Sequence, residues 1–118
     1  MKKGGKFYLQ LPFTIGYHSL PHDYWRFSGV GIEQFVTSQG SLKVLEKGIA
    51  AGHGTGFYRI LVEFFATTAS ALGSVFYKPV KMAAAILFWW VKLFDVLTPL
   101  ASERDRIAGG YYVVAERV

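Results

Sequence analysis

The sequence predicts an α/β fold carrying an apolar helical pair, on three observations. An aromatic-rich run, a capped amphipathic stretch and an alternating run succeed one another over residues 6–46. That strand, loop, helix, strand series is the half-unit of an α/β sheet. A further β-forming run, YYVVAE at 111–116, follows a Gly-Gly pair near the end of the sequence. Between them, residues 57–100 contain only Arg59, Glu63, Lys78, Lys81, Lys92 and Asp95 as charged residues. At 118 residues the chain has length for one small core.

Residues 6–13 form a strand-length run bounded by Gly4-Gly5 and by Pro12, which reads as a buried strand. The segment LPFTIGYHSLPHDYWRF over 11–27 follows; its two prolines and glycine predict a loop, where binding groups are most often carried. Ser28 then opens a short helix in which Ile32, Phe35 and Val36 share a face and Gly40 supplies the stop. SLKVLE at 41–46 alternates Leu42 and Val44 with Lys43, predicting a second strand over those residues. Two helices fit the apolar middle. One covers about 56–72 before Gly73, and the other starts near Pro79 and ends before Pro99. The run MAAAILFWWV at 82–91 is shorter than the roughly 20 residues a bilayer span requires. A buried helix and an interfacial helix both satisfy it, with Lys81, Trp89, Trp90 and Lys92 suited to a headgroup boundary.

Composition sets further bounds. Apolar residues make up 52% and charged residues 18%, too apolar for a disordered segment. The net charge is +5, but only Lys2, Lys3 and Lys6 cluster, so the stripe of cations that nucleic acid binding needs is missing. An anionic membrane surface is as compatible with that charge. There is no cysteine, hence no disulfide and no thiolate zinc site. The basic start is followed by an apolar stretch interrupted at Gln10 and Pro12, which does not make a signal peptide. These features predict a cytoplasmic location, with the helical pair available to the inner face of a membrane.

Two constellations invite chemistry. GHGTG at 52–56 has the spacing with which glycine turns approach nucleotides, yet five residues separate it from Glu46, where the strand is read to end, and no strand-borne carboxylate follows about 20 positions on. The expectation there is a flexible turn into a helix. In the 11–27 loop, His18, His22 and Asp23 lack the spacing and further ligands of a metal site. His18 suits a general base, titrating near neutrality, with Asp23 to orient it. Asp23 as a turn former paired with Arg26 explains the same residues equally well.

Taken together, KKGGKFYLQLPF at 2–13, Tyr17-His18, PHDYWRF at 21–27, GIEQFV at 31–36 and Gly40 resemble the C-terminal half of a class I S-adenosylmethionine-dependent methyltransferase of the type 11 kind. GGYYVVAER at 109–117 is similar to that family's last strand. The turn here is Lys-Lys-Gly-Gly where the family commonly has Lys-Pro-Gly-Gly. The resemblance implies that the three strands are the fifth, sixth and seventh of a Rossmann-like seven-stranded sheet, in the spatial order 5-7-6, with the last strand antiparallel between the other two. It divides the chain into an α/β segment at 1–56, a two-helix apolar insertion at 57–100, and a connector with the final strand at 101–118. It also implies S-adenosylmethionine as cofactor, His18 as candidate base, and Tyr17, His22, Asp23, Tyr24 and Arg26 on the methyl-acceptor side.

The family's cofactor-holding strands, with their acidic-x-glycine-x-glycine turn, are not in the sequence, and no residue here is assigned to cofactor or metal. The expectation is a fragment or one piece of a split gene, inactive alone. Its partner is a missing N-terminal half or another chain covering the first strand, and its acceptor is hydrophobic. The competing expectation is a small membrane-associated helical interaction protein.

Overall fold

Residues 111–116 alternate strictly between fully and partly buried side chains, the pattern of a strand with one face on a core. In the computed structural model, which describes residues 1–17 and 25–118, this strand is the centre of a three-stranded sheet. The elements are β1 (Lys6–Pro12), α1 (Gly29–Thr37), β2 (Leu42–Ala51), α2 (His53–Ser70), α3 (Tyr77–Leu87) and β3 (Gly110–Arg117). A short 3₁₀ turn at Ser74–Phe76 precedes α3, and a 3₁₀ segment, Trp89–Leu100, follows it. The sheet order is β1-β3-β2, with β3 antiparallel to both neighbours. The molecule is therefore mixed α/β.

Helix α1 covers one face of the sheet. Ser28 caps it, accepting from Gly31 N–H at 3.1 Å, and Gly40 takes a φ of 69° in the turn that leads into β2. Ile32 and Val36 are buried against Tyr111, Val113 and Ala115, and Phe7, Leu9, Leu11, Leu42 and Val44 close around them. Phe35 turns out to the side and packs on Phe27 at a centroid distance of 5.3 Å, remaining 46% exposed. The opposite face carries Tyr8 stacked on Tyr112 at 5.6 Å, and the Tyr112 hydroxyl donates to Glu46 at 2.6 Å. With only one face covered, β1 is a half-buried edge strand rather than the buried one its composition suggests: Lys6, Tyr8 and Gln10 are exposed.

Three boundaries differ from the sequence reading. Strand β2 continues five residues past Glu46, and two irregularities, at 44–46 and 49–51, shift its register on β3. Gly48 fits there because the Tyr112 ring lies where a Cβ would go. Helix α2 starts at His53, so a division at residue 56 falls inside its first turn. The second expected helix is two. Its first part ends at Phe88, whose backbone leaves the helical region (φ −101°, ψ 8°), and a 3₁₀ winding takes over and includes Pro99. Helix α2 packs on α3 and the 3₁₀ segment, whereas α1 packs on the sheet. The resulting body is thin and long, 54 × 35 × 19 Å. Among the described residues, no helix is long and apolar enough to cross a membrane.

Candidate functional site

Of the sequence-predicted site residues, His18, His22, Asp23 and Tyr24 lie outside the described residues. Tyr17 and Arg26 flank them. Tyr17 is 74% exposed. Arg26 donates from Nη2 to the carbonyl of Gly16 at 2.9 Å, and Phe27 N–H reaches the carbonyl of Pro12, so the two ends of the loop are tied together at the carboxyl end of β1. Gly16 in turn sits against Glu63 of α2, since a Cβ there would meet its Cγ at 2.7 Å. The loop base is thus held between the sheet and the helical region.

The glycine turn at 52–56 is where these two regions meet. It follows β2 directly, with Gly52 as the residue before α2. One feature that counts against a working glycine turn, its distance from the strand, is thus removed by the length of β2; the other stands, since no acidic residue follows about 20 positions on. What fills the turn is internal. Asp95, from the 3₁₀ segment, accepts from Thr55 N–H at 2.9 Å through Oδ1 and from the Thr55 hydroxyl through Oδ2. A carboxylate at a helix N-terminus pairs with unsatisfied N–H groups and a positive dipole end, the same interactions a phosphate would use. A Cβ on Gly54 would lie 2.6 Å from the carbonyl oxygen of Val91, and one on Gly56 would collide with that of Ile107. The glycines admit neighbouring backbone and leave no cradle for a nucleoside.

The 3₁₀ winding explains how Asp95 arrives there. Side chains three apart eclipse in this helix type, so Lys92, Asp95 and Thr98 line up along one edge. Each meets α2: Lys92 Nζ sits 4.6 Å from the Tyr58 ring centre, Asp95 holds Thr55, and Thr98 Oγ1 shares a 3.0 Å hydrogen bond with His53 Nδ1. Farther along, the Tyr77 hydroxyl donates to Glu63 at 2.7 Å, and Lys81 bridges to the same carboxylate. Burial acts to raise the Glu63 pKa, but hydrogen bonds from Lys81 and Tyr77 and the Lys81 charge outweigh it and hold the carboxyl below its ordinary value.

A cleft of about 800 Å³ opens beside this ladder, at the carboxyl end of β2 and the start of β3. Ser28, Lys47, Asp95, Thr98, Arg104 and Tyr111 line it. Lys47 pairs with Glu33, and Tyr111 donates to the carbonyl of Asp105 at 3.0 Å, closing one wall. Burial, with Asp105 nearby, pushes the Tyr111 phenol up to about 12. The cleft is lined by two cations, Lys47 and Arg104, two carboxylates, Asp95 and Asp105, and the hydroxyl residues Ser28, Thr98, Tyr111 and Tyr112, a setting for a polar or zwitterionic group. Among the described residues, no cluster of three His, Asp or Glu side chains could hold a metal ion.

Asp95, Thr98, Lys47 and Arg104 were not anticipated. The one available signal was scarcity, since Glu63 and Asp95 are the only acids in 57–100 and each is engaged across the helical pair. No family model, curated protein or solved structure matches the chain.

Proposed function

We propose that this chain supplies the methyl-acceptor side of an S-adenosylmethionine-dependent methyltransferase. The observation that carries the reading is the sheet order: β3 runs antiparallel between β1 and β2, with α1 as the crossover. An antiparallel strand between two parallel neighbours supports the 5-7-6 reading that the resemblance implies. The cleft opens at the carboxyl end of β2, and open α/β sheets place their ligands at the carboxyl ends of strands. In this reading His18 is the base, and Tyr17, His22, Asp23, Tyr24 and Arg26 form the acceptor wall.

The described residues do not fit the cofactor. The glycine turn at the strand–helix junction is filled by Asp95 and by neighbouring backbone. No step is therefore routed through S-adenosylmethionine on this chain alone. Strand β1 has β3 on one edge and, among the described residues, no strand on the other. Open edges pair readily with further strands. A fourth strand, from an N-terminal half or a separate chain, fits that position and brings the cofactor side with it. The acceptor in this proposal is hydrophobic or lipid-linked, with its polar end toward the cleft, and the location the cytoplasmic face of a membrane, with no nucleic acid involved.

Calorimetric titration with S-adenosylmethionine tests this. The expected result is no micromolar binding by the chain alone, and binding by a longer product that includes an upstream acidic-x-glycine-x-glycine strand. Micromolar binding by the chain alone would overturn it.

A further inference from the structure

We infer that the outward ridge of the 3₁₀ segment and the adjoining end of α2 form a docking surface for an anionic lipid bilayer. This does not rest on the methyl-transfer reading. The same threefold winding that turns Lys92, Asp95 and Thr98 toward α2 aligns Trp90, Leu93 and Val96 on another edge. Those three side chains are 53%, 60% and 76% exposed. The ridge borders an apolar hollow of about 300 Å³ in which Phe57 of α2 meets Trp90, Phe94 and Ile107. A hollow with such walls takes an acyl segment and rejects hydrated groups.

Charge selects the occupant. The two carboxylates of 57–100 are both engaged within the protein, Glu63 by Lys81 and Tyr77 and Asp95 by Thr55. Among the described residues, Arg59, Lys78 and Lys92 form no ion pair with a carboxylate. The field that this region presents is cationic, which favours anionic headgroups and disfavours a second copy bearing the same charges. Trp89 and Trp90 beside Lys92 give the aromatic and basic pairing suited to the headgroup boundary. Since no described helix is long and apolar enough to cross, the geometry is a helix lying along the surface with its ridge inserted.

The experiment is flotation of the full chain with vesicles of equimolar phosphatidylcholine and phosphatidylglycerol, beside vesicles of phosphatidylcholine alone. The chain is expected to float with the anionic vesicles and to lose affinity on neutral ones or in high salt. In a Trp25→Phe background, Trp89 and Trp90 should be quenched by brominated acyl chains. Leu93→Ser with Val96→Ser, both at exposed positions, should weaken partitioning about tenfold or more. Arg59→Glu with Lys78→Glu should abolish the preference for anionic vesicles, and circular dichroism confirms that each variant is folded. Absence of flotation, equal flotation by the ridge variant, or a stable dimer in lipid-free sedimentation that this variant dissociates would overturn the proposal.

Discussion

The sheet and the helical pair are built from similarly apolar sequence and dispose of it in opposite ways. In the sheet, large side chains go inward: Ile32, Val36 and Val113 are at most 1% exposed beneath α1. In the helical pair the buried positions are small, Gly54, Gly56, Val62, Ala66 and Ala84, while Phe64, Ile86 and Leu93 point out. The sheet is held by side-chain volume. The helical pair is held by close backbone approach and by the polar ladder of Lys92, Asp95 and Thr98, which leaves its apolar bulk uncommitted. Stability and surface activity therefore reside in different parts of one chain.

Paired isoleucine truncations would sharpen this contrast most. Ile32→Ala should cost about 2–5 kcal/mol, because it opens a cavity in the only core of buried large side chains described. Ile86→Ala, at a position 75% exposed, should stay within about 0.5 kcal/mol. Urea denaturation of both measures the difference, and similar losses would mean that the helical pair has a core of its own. The next largest effect belongs to the junction. Gly56→Ala should destabilise by about 1–3 kcal/mol, since its Cβ would collide with the carbonyl of Ile107. In an ordinary helix interior the same change stabilises by about 1 kcal/mol, so even the sign of the measured change tests the packing. Asp95→Ala should follow at about 1–2 kcal/mol through loss of the cap on α2, with Asp95→Asn recovering much of it because one acceptor remains. Helix protection read by hydrogen exchange should fall at the first turn of α2 and leave β3 unaffected.

The parts legible in the sequence are those set by local signals. Strand β3 follows from alternation and β-forming residues, and α1 from the Ser28 cap, the Ile32–Val36 spacing and Gly40. Strand β2 was read short because Lys47-Gly-Ile-Ala-Ala neither alternates nor carries large side chains; its pairing is imposed by β3, and Gly48 makes sense only beside Tyr112. The run at 82–91 gives no period, being apolar throughout, so the change of winding at Phe88 leaves no local mark. The link between Asp95 and the glycine turn spans forty positions and is a tertiary fact. The histidines and Asp23 of the 11–27 loop are legible as chemistry-bearing residue types, whereas the cleft is assembled from four elements and has no linear motif.

The smallest expected effect concerns Tyr111, where core and cleft share a residue. Its ring is buried with Val113 and Ile32, and its hydroxyl donates to the Asp105 carbonyl at 3.0 Å on the cleft wall. Tyr111→Phe keeps the ring and loses the hydrogen bond, so it should cost about 1 kcal/mol at neutral pH. Burial first, and Asp105 second, hold the phenol protonated to about 12, against an ordinary value of 10.0. A folded-state pKa above the unfolded one lends stability that is complete below the unfolded value and is lost as pH rises through the folded one. Wild-type stability should accordingly fall between about pH 10 and 12 more steeply than that of Tyr111→Phe, and the two curves should converge there. Denaturant midpoints across that window measure it. Parallel curves would mean that the hydroxyl is solvated in the folded state, and that the cleft wall is not closed by Tyr111 and Asp105.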